Sequence, residues 1–142
     1  MEISLYPNDL SSDEYKKIKE SANWGGVPEK EFITMALTRS LYTVVARDGR
    51  DAVGMARLIG DGIFYWHVQD VIVLPEYQGM GIGKLIMEHL INYIEKNIPD
   101  GSTKVGLMSA IGKEGFYEKF GFKKRSDNNH GEGMERKIQK SL

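Results

Sequence analysis

Three glycines within five residues, Gly79, Gly81 and Gly83, separate a run of strand formers from a segment of helical periodicity. The full passage is Asp70-Val-Ile-Val-Leu-Pro-Glu-Tyr-Gln78-Gly79-Met80-Gly81-Ile82-Gly83-Lys84. Glycines let successive backbone N–H groups turn toward one point, and a helix start adds partial positive charge. The guest suited to such a loop is a phosphate or a pyrophosphate. Two familiar nucleotide loops fail against it. A P-loop needs Gly at the place of Gln78 and Ser or Thr at the place of Leu85. A dinucleotide fingerprint needs a third glycine where Lys84 stands, and a strand that opens a βαβ unit, whereas this one arrives from a hairpin.

The pattern that does match is Gln-x-x-Gly-x-Gly at Gln78, Gly81 and Gly83. About 30 residues further on stands Gly115-Phe116-Tyr117-Glu118-Lys119-Phe120-Gly121-Phe122. Together these segments resemble the Gcn5-related N-acetyltransferase (GNAT) superfamily, and small single-domain members akin to the arylalkylamine (serotonin) acetyltransferase branch. The resemblance implies a co-substrate, acetyl-CoA, and no metal. It implies that the backbone around Gln78, Gly79, Met80, Gly81, Ile82, Gly83 and Lys84 holds the CoA pyrophosphate. Pantetheine would then pair like an added strand along Val71, Ile72 and Val73. Lys84 is equally a solvated lysine on a helix face. The asparagine that often follows the fifth strand in the superfamily is missing from Ser109-Ala-Ile-Gly-Lys113.

Attack of an amine on a thioester requires loss of an ammonium proton, polarisation of the carbonyl and protonation of the leaving thiolate. The chain has no cysteine and no G-x-S-x-G elbow, so neither acyl-enzyme route is open and direct transfer in a ternary complex is expected. The resemblance assigns the acid role to Tyr117, whose phenol type is protonated at neutral pH; the other reading is a core aromatic beside Phe116, Phe120 and Phe122. His67, eleven residues before Gln78, stands where related enzymes carry a Glu or His base. It is either that base or a hydrogen-bonded strand histidine. Alternation puts His67, Gln69, Val71 and Val73 on one face and Asp70 on the other, unless a bulge intervenes. For the acceptor, the resemblance points to the first two helices and the loop between them. Trp24, Phe32 and Trp66, with His130, are the candidate contacts, and aromatic rings of this kind cage ammonium groups. His89 falls on an apolar helical stripe and reads as a satisfied core histidine.

The elements that must position these groups are legible from periodicity and breakers. A short strand at Ile3–Leu5 precedes a helix capped by Ser11 or Ser12, and Pro28 opens a second helix. Residues 42–47, 52–59 and 63–74 alternate as strands, divided by Asp48-Gly49 and Gly60-Asp61-Gly62. Ile82, Leu85, Ile86, Leu90, Tyr93 and Ile94 recur at helical spacing. Residues 104–109 form a fifth strand, a short helix ends at Gly121, and 122–125 and 133–138 read as two closing strands. The fold class expected is α+β (α/β): a mixed, mostly antiparallel twisted sheet of about seven strands with about four helices. The resemblance adds a V-shaped cleft between strands 4 and 5.

With 142 residues the expectation is one domain, 1–142. Nineteen Lys and Arg against twenty Asp and Glu leave a net charge of −1, without the field of a general nucleic-acid binder. No apolar run approaches a membrane span, and the start does not look like a signal peptide, so a cytoplasmic location is expected. The histidines show no metal-ligand spacing. The functional expectation is acetyl transfer to a primary amine of a small molecule. The alternatives are a protein N-terminal or lysine acetyltransferase and a non-catalytic acyl-CoA sensor. A homodimer is common in the superfamily, with the C-terminal strands as its interface.

Overall fold

The computed structural model describes residues 1–140. Residues 1–107 and 108–140 fall into separate units, taken in turn. The first unit runs β1 (Ile3–Pro7), α1 (Ser12–Ser21), α2 (Lys30–Arg39), β2 (Tyr42–Asp48), β3 (Asp51–Gly60), β4 (Tyr65–Val73), α3 (Ile82–Asn97) and β5 (Lys104–Leu107). Its five strands lie in sequence order in one sheet. β1 to β4 are antiparallel neighbours, and β5 returns parallel to β4 after the α3 crossover, as a helical connection requires. The mixed, mostly antiparallel class is thus present.

Local chemistry explains the boundaries. Ser11 caps α1 through a reciprocal pair: its hydroxyl accepts from the Glu14 N–H, while the Glu14 carboxylate accepts from the Ser11 N–H. The β3–β4 turn is organised by Asp61, whose carboxylate accepts the N–H groups of Ile63, Phe64 and Tyr65 at 2.8–3.0 Å. α2 begins at Lys30, two residues after Pro28.

The two sheet faces carry different helices. On β3, a Cβ at Gly54 would meet Ile82 and Ile86 of α3, so Gly54 faces α3, and Ala56 and Leu58 face it by alternation. Arg57 points the opposite way, toward α1. The core joins Val44, Val53, Met55 and Leu58 of the sheet to Tyr15 and Ile18 of α1 and to Ile82, Ile86, Met87, Leu90 and Ile94 of α3. Each such side chain contributes about 1.5–3 kcal/mol relative to an exposed one, which fastens the start of α3 against the sheet. No helix among the described residues is long and apolar enough to cross a membrane.

The second unit holds α4 (Glu114–Glu118) and a 3-10 turn at Arg125–Asn128. The two closing strands are not formed: 122–125 and 133–138 lie outside any strand, and the sheet has five strands instead of about seven. Phe122-Lys-Lys-Arg125 carries one apolar side chain against three cations, and Gly133–Ile138 is exposed throughout. Neither segment has an alternating apolar face to bury.

Candidate active site

The glycine loop has the geometry its sequence foretold. A 3-10 turn at Pro75–Tyr77 leads through Gln78 into Gly79 (φ 81°) and Gly81 (φ 82°), the latter capping the sixteen-residue α3. Side chains rarely adopt this left-handed conformation, and no atom lies within 4 Å of where a Cβ would stand at either glycine. The space above the loop is therefore open. The first N–H groups of α3 have no intrahelical acceptor, and the first turn carries no acid to compete with an anion. Gly83 lies within the helix itself. Two contacts fix the loop: the Tyr77 hydroxyl donates to Asp48 of the β2–β3 hairpin at 2.9 Å, and the Gln78 amide donates to the Val73 carbonyl at 2.9 Å. Lys84 is exposed, 3.8 Å from Glu88 one helical turn along.

Beside the loop, β4 has a bare edge. Its pairing with β5 covers Tyr65–Val68 only, while β4 runs on to Val73 without a strand partner on that side. Val71, Ile72 and Val73 belong to this stretch, which is where an extended ligand backbone can add as a strand.

The first half of β4 presents polar groups toward the α1 side. His67 Nε2 lies 3.0 Å from Gln69 Oε1, a contact that requires both side chains on one face. Tyr65 shares that face by alternation, and its phenol occupies the place that a side chain at Gly106 of β5 would fill. Trp66 turns the other way. It is 3% exposed and packs edge-on against Tyr93 of α3, which makes it a core residue and removes it from the acceptor candidates. His89 accompanies it on that side: the Tyr42 hydroxyl is 2.6 Å from its Nε2, and burial lowers its pKa, as expected of a satisfied core histidine.

Simple alternation fails at Asp70. Met55 pairs with Ile72 and Arg57 with Gln69, so Asp70 and Val71 together oppose Ala56 in a bulge, with Asp70 at φ 56°. The extra residue shifts the phase of the strand. Asp70 joins the face of His67 and Gln69, while Val73, paired with Gly54, turns to the α3 side. Asp70 is 5% exposed and accepts from Tyr15 Oη (2.7 Å), Lys19 Nζ (2.7 Å) and Arg57 Nε (2.8 Å). Burial alone would raise its pKa, but hydrogen bonds from Lys19, Arg57 and Tyr15 outweigh it and hold the carboxyl below its ordinary value. The Tyr15 phenol moves the opposite way, pushed up by burial and then by Asp70. Sequence reasoning missed this cluster, although a lone Asp inside Val-Gln-Asp-Val-Ile-Val was a signal that the strand needed a cation nearby.

Trp24 (56% exposed) lies in the loop between α1 and α2 with Lys19 Nζ 5.1 Å from its ring, and Phe32 is exposed on α2. In the second unit Tyr117 packs edge-on to Phe116 and Phe122, and burial raises its pKa above the ordinary phenol value. His130 is exposed there, its N–H 3.3 Å from the Arg125 carbonyl.

The family profile of the acetyltransferase (GNAT) domain matches residues 11–136. The Arabidopsis thaliana protein named GCN5-related N-acetyltransferase 1, chloroplastic, is 34% identical over 90 residues, 63% of this chain and 44% of that protein. The rice protein named serotonin N-acetyltransferase 2, chloroplastic, is 37% identical over 70 residues, 49% of this chain and 34% of its own length. The chain thus spans less than half of either relative. Among solved structures, a GNAT-family acetyltransferase from Streptococcus pneumoniae superposes with a TM-score of 0.79 at 29% identity, covering 98% of this chain and all of that one (100%).

Proposed function

The chain belongs to the GNAT acetyltransferase family, and from that premise we propose that it transfers the acetyl group of acetyl-CoA to a primary amine of a small molecule. The observation that carries this reading is the pairing of two open left-handed glycines at the start of α3 with the unpartnered edge of β4 beside them. The residues present fit acetyl-CoA as substrate. The N–H groups around Gly79 to Lys84 receive the pyrophosphate, and the Val71–Val73 edge receives the pantetheine amides.

The step itself balances without a covalent enzyme intermediate. The amine nitrogen forms a bond to the acetyl carbon, the carbon–sulfur bond breaks, and the sulfur leaves as thiolate. His67 takes the ammonium proton, directly or through water, steadied by Gln69. The acid role goes to Tyr117 on the resemblance of its segment to the family's; a half-buried phenol with a raised pKa holds the proton that a leaving thiolate needs. A small amine is favoured because the rice relative is named for one, and because Trp24 and Phe32 leave aromatic surface beside the α1 side of the sheet.

The test is CoA-thiol release from acetyl-CoA across arylalkylamines, polyamines, amino acids, aminoglycosides, and peptides with free N-termini or lysines. Saturable release with one small-amine class establishes the reading. Release with peptides alone makes the protein a protein acetyltransferase. Silence with intact acetyl-CoA binding makes it an acyl-CoA sensor.

A further inference from the structure

The charges around Asp70 do not cancel. Lys19 and Arg57 share one carboxylate, and the two carboxylate oxygens already accept three donors, so the cluster keeps a surplus positive charge. Donors are also left over. Of the five guanidinium N–H groups of Arg57, one goes to Asp70 and one to the Ser40 hydroxyl at 3.3 Å; of the three on Lys19, one goes to Asp70, and the same ammonium lies 5.1 Å from the Trp24 ring. Neither side chain is sealed, with 16% of Arg57 and 20% of Lys19 exposed. Both stand on the face of the sheet that carries His67. Arg57 pairs with Gln69 and Ile59 with His67, which sets the guanidinium's strand position about 7 Å from that of His67 along the strand.

A purely structural role for the cations would be to neutralise a buried Asp, and one cation suffices for that. The second cation, with spare donors at a partly open surface, is a feature that an anion uses and a simple ammonium avoids. We propose that the acceptor carries an acidic group, carboxylate or phosphate, besides its amine, and that Arg57 and Lys19 bind that group while His67 meets the amine. This rests on the reading of the His67 face as the acceptor side, and it narrows the substrate class within that reading.

The experiment uses acceptor pairs that differ only in the acid: tryptophan with tryptamine, and glucosamine 6-phosphate with glucosamine. Thiol release gives kcat/KM for each compound, and calorimetric titration into protein saturated with CoA gives its affinity without turnover. The acid-bearing member of at least one pair is expected to bind and react about tenfold or more better, the scale of one or two charge-assisted hydrogen bonds. Which pair responds separates carboxylate from phosphate. The ratio within that pair should fall toward one in Lys19→Met, and fall in part in Arg57→Lys, which keeps a charge near Asp70 but loses the guanidinium's spare donors. Equal or weaker binding of the acid-bearing members in both pairs overturns the proposal. Absence of thiol release from every compound counts against the acetyl-transfer reading, and the calorimetric ratio then decides the anion site by itself.

Discussion

Replacing Asp70 by Asn tests the cluster with almost no change of shape. Asn tolerates the left-handed backbone at φ 56° nearly as well as Asp, so the substitution isolates the charge. What remains is an amide facing Lys19 and Arg57 in a position 5% exposed. Removing one partner of a buried pair costs about 3–5 kcal/mol. Lys19 and Arg57 keep 20% and 16% of their side-chain surface, so water recovers part of their solvation, which places the loss near the lower end, about 3 kcal/mol. For a chain of this size that is a drop of about 6–12 °C in Tm. Urea denaturation checks it, with an unchanged m-value showing that the same surface unfolds. Asp70→Ala should lose about 1–2 kcal/mol more, since alanine pays the left-handed strain that Asn does not. Because the folded carboxyl sits below its unfolded pKa, the parent gains this stability above about pH 4 and loses it as pH falls through the lower folded value; the Asn variant should lack that acid-range slope. An Asn variant within about 1 kcal/mol of the parent would refute the reasoning, because desolvation of the ions would then offset their attraction.

Tyr117→Phe should lower kcat about 100-fold or more while leaving acetyl-CoA affinity nearly unchanged, the mark of a lost general acid; steady-state kinetics beside calorimetric titration of acetyl-CoA checks both. His67→Ala should lower kcat/KM about 100-fold with acetyl-CoA affinity nearly unchanged, and unaltered kinetics would take the base role from His67. Gly81→Val forces a β-branched side chain into φ 82° at the start of α3 and should weaken acetyl-CoA binding about tenfold or more, read by the same titration.

The legible parts of the molecule were those set by local rules. Of the helical stripe read from spacing, Ile82, Ile86, Leu90 and Ile94 of α3 are buried and Tyr93 is half-buried, whereas Leu85 is exposed at the edge of the stripe. The glycine loop is legible for the same reason, since positive φ at Gly79 and Gly81 is written in the residue type. Strand faces were legible only up to the bulge. Trp66 and His67 alternate as expected, yet which of the two faced the core depended on where α3 lay, and the aromatic character of Trp66 suited either side. The C-terminal segments show the opposite failure: Phe122 and Ile138 look like strand residues singly, but Lys124 and Arg136 occupy the positions two residues from them within their segments.

The bulge also explains why a charged residue can stand in the middle of β4 at all. With unbroken alternation Asp70 would share the face of Trp66 and Val68 and point toward Ile82, Ile86 and Leu90, buried apolar side chains of α3. One residue at φ 56° turns it to the other side, into reach of Lys19, Tyr15 and Arg57. The local strain, about 1–2 kcal/mol, is smaller than the cost of an unpaired buried carboxylate, so the bulge is the cheaper of the two arrangements. It has a second effect. Gln69 and Asp70, adjacent in sequence, come to lie on the same face, next to His67, so that the hydrogen-bonded histidine and the cationic cluster form one surface. Beyond the bulge the strand is free of β5 and leads directly into the glycine loop. A single left-handed residue thus stands between the half of β4 that pairs with β5 and carries His67, and the half whose edge is unpaired, the two stretches to which the proposed function gives the acceptor and acetyl-CoA.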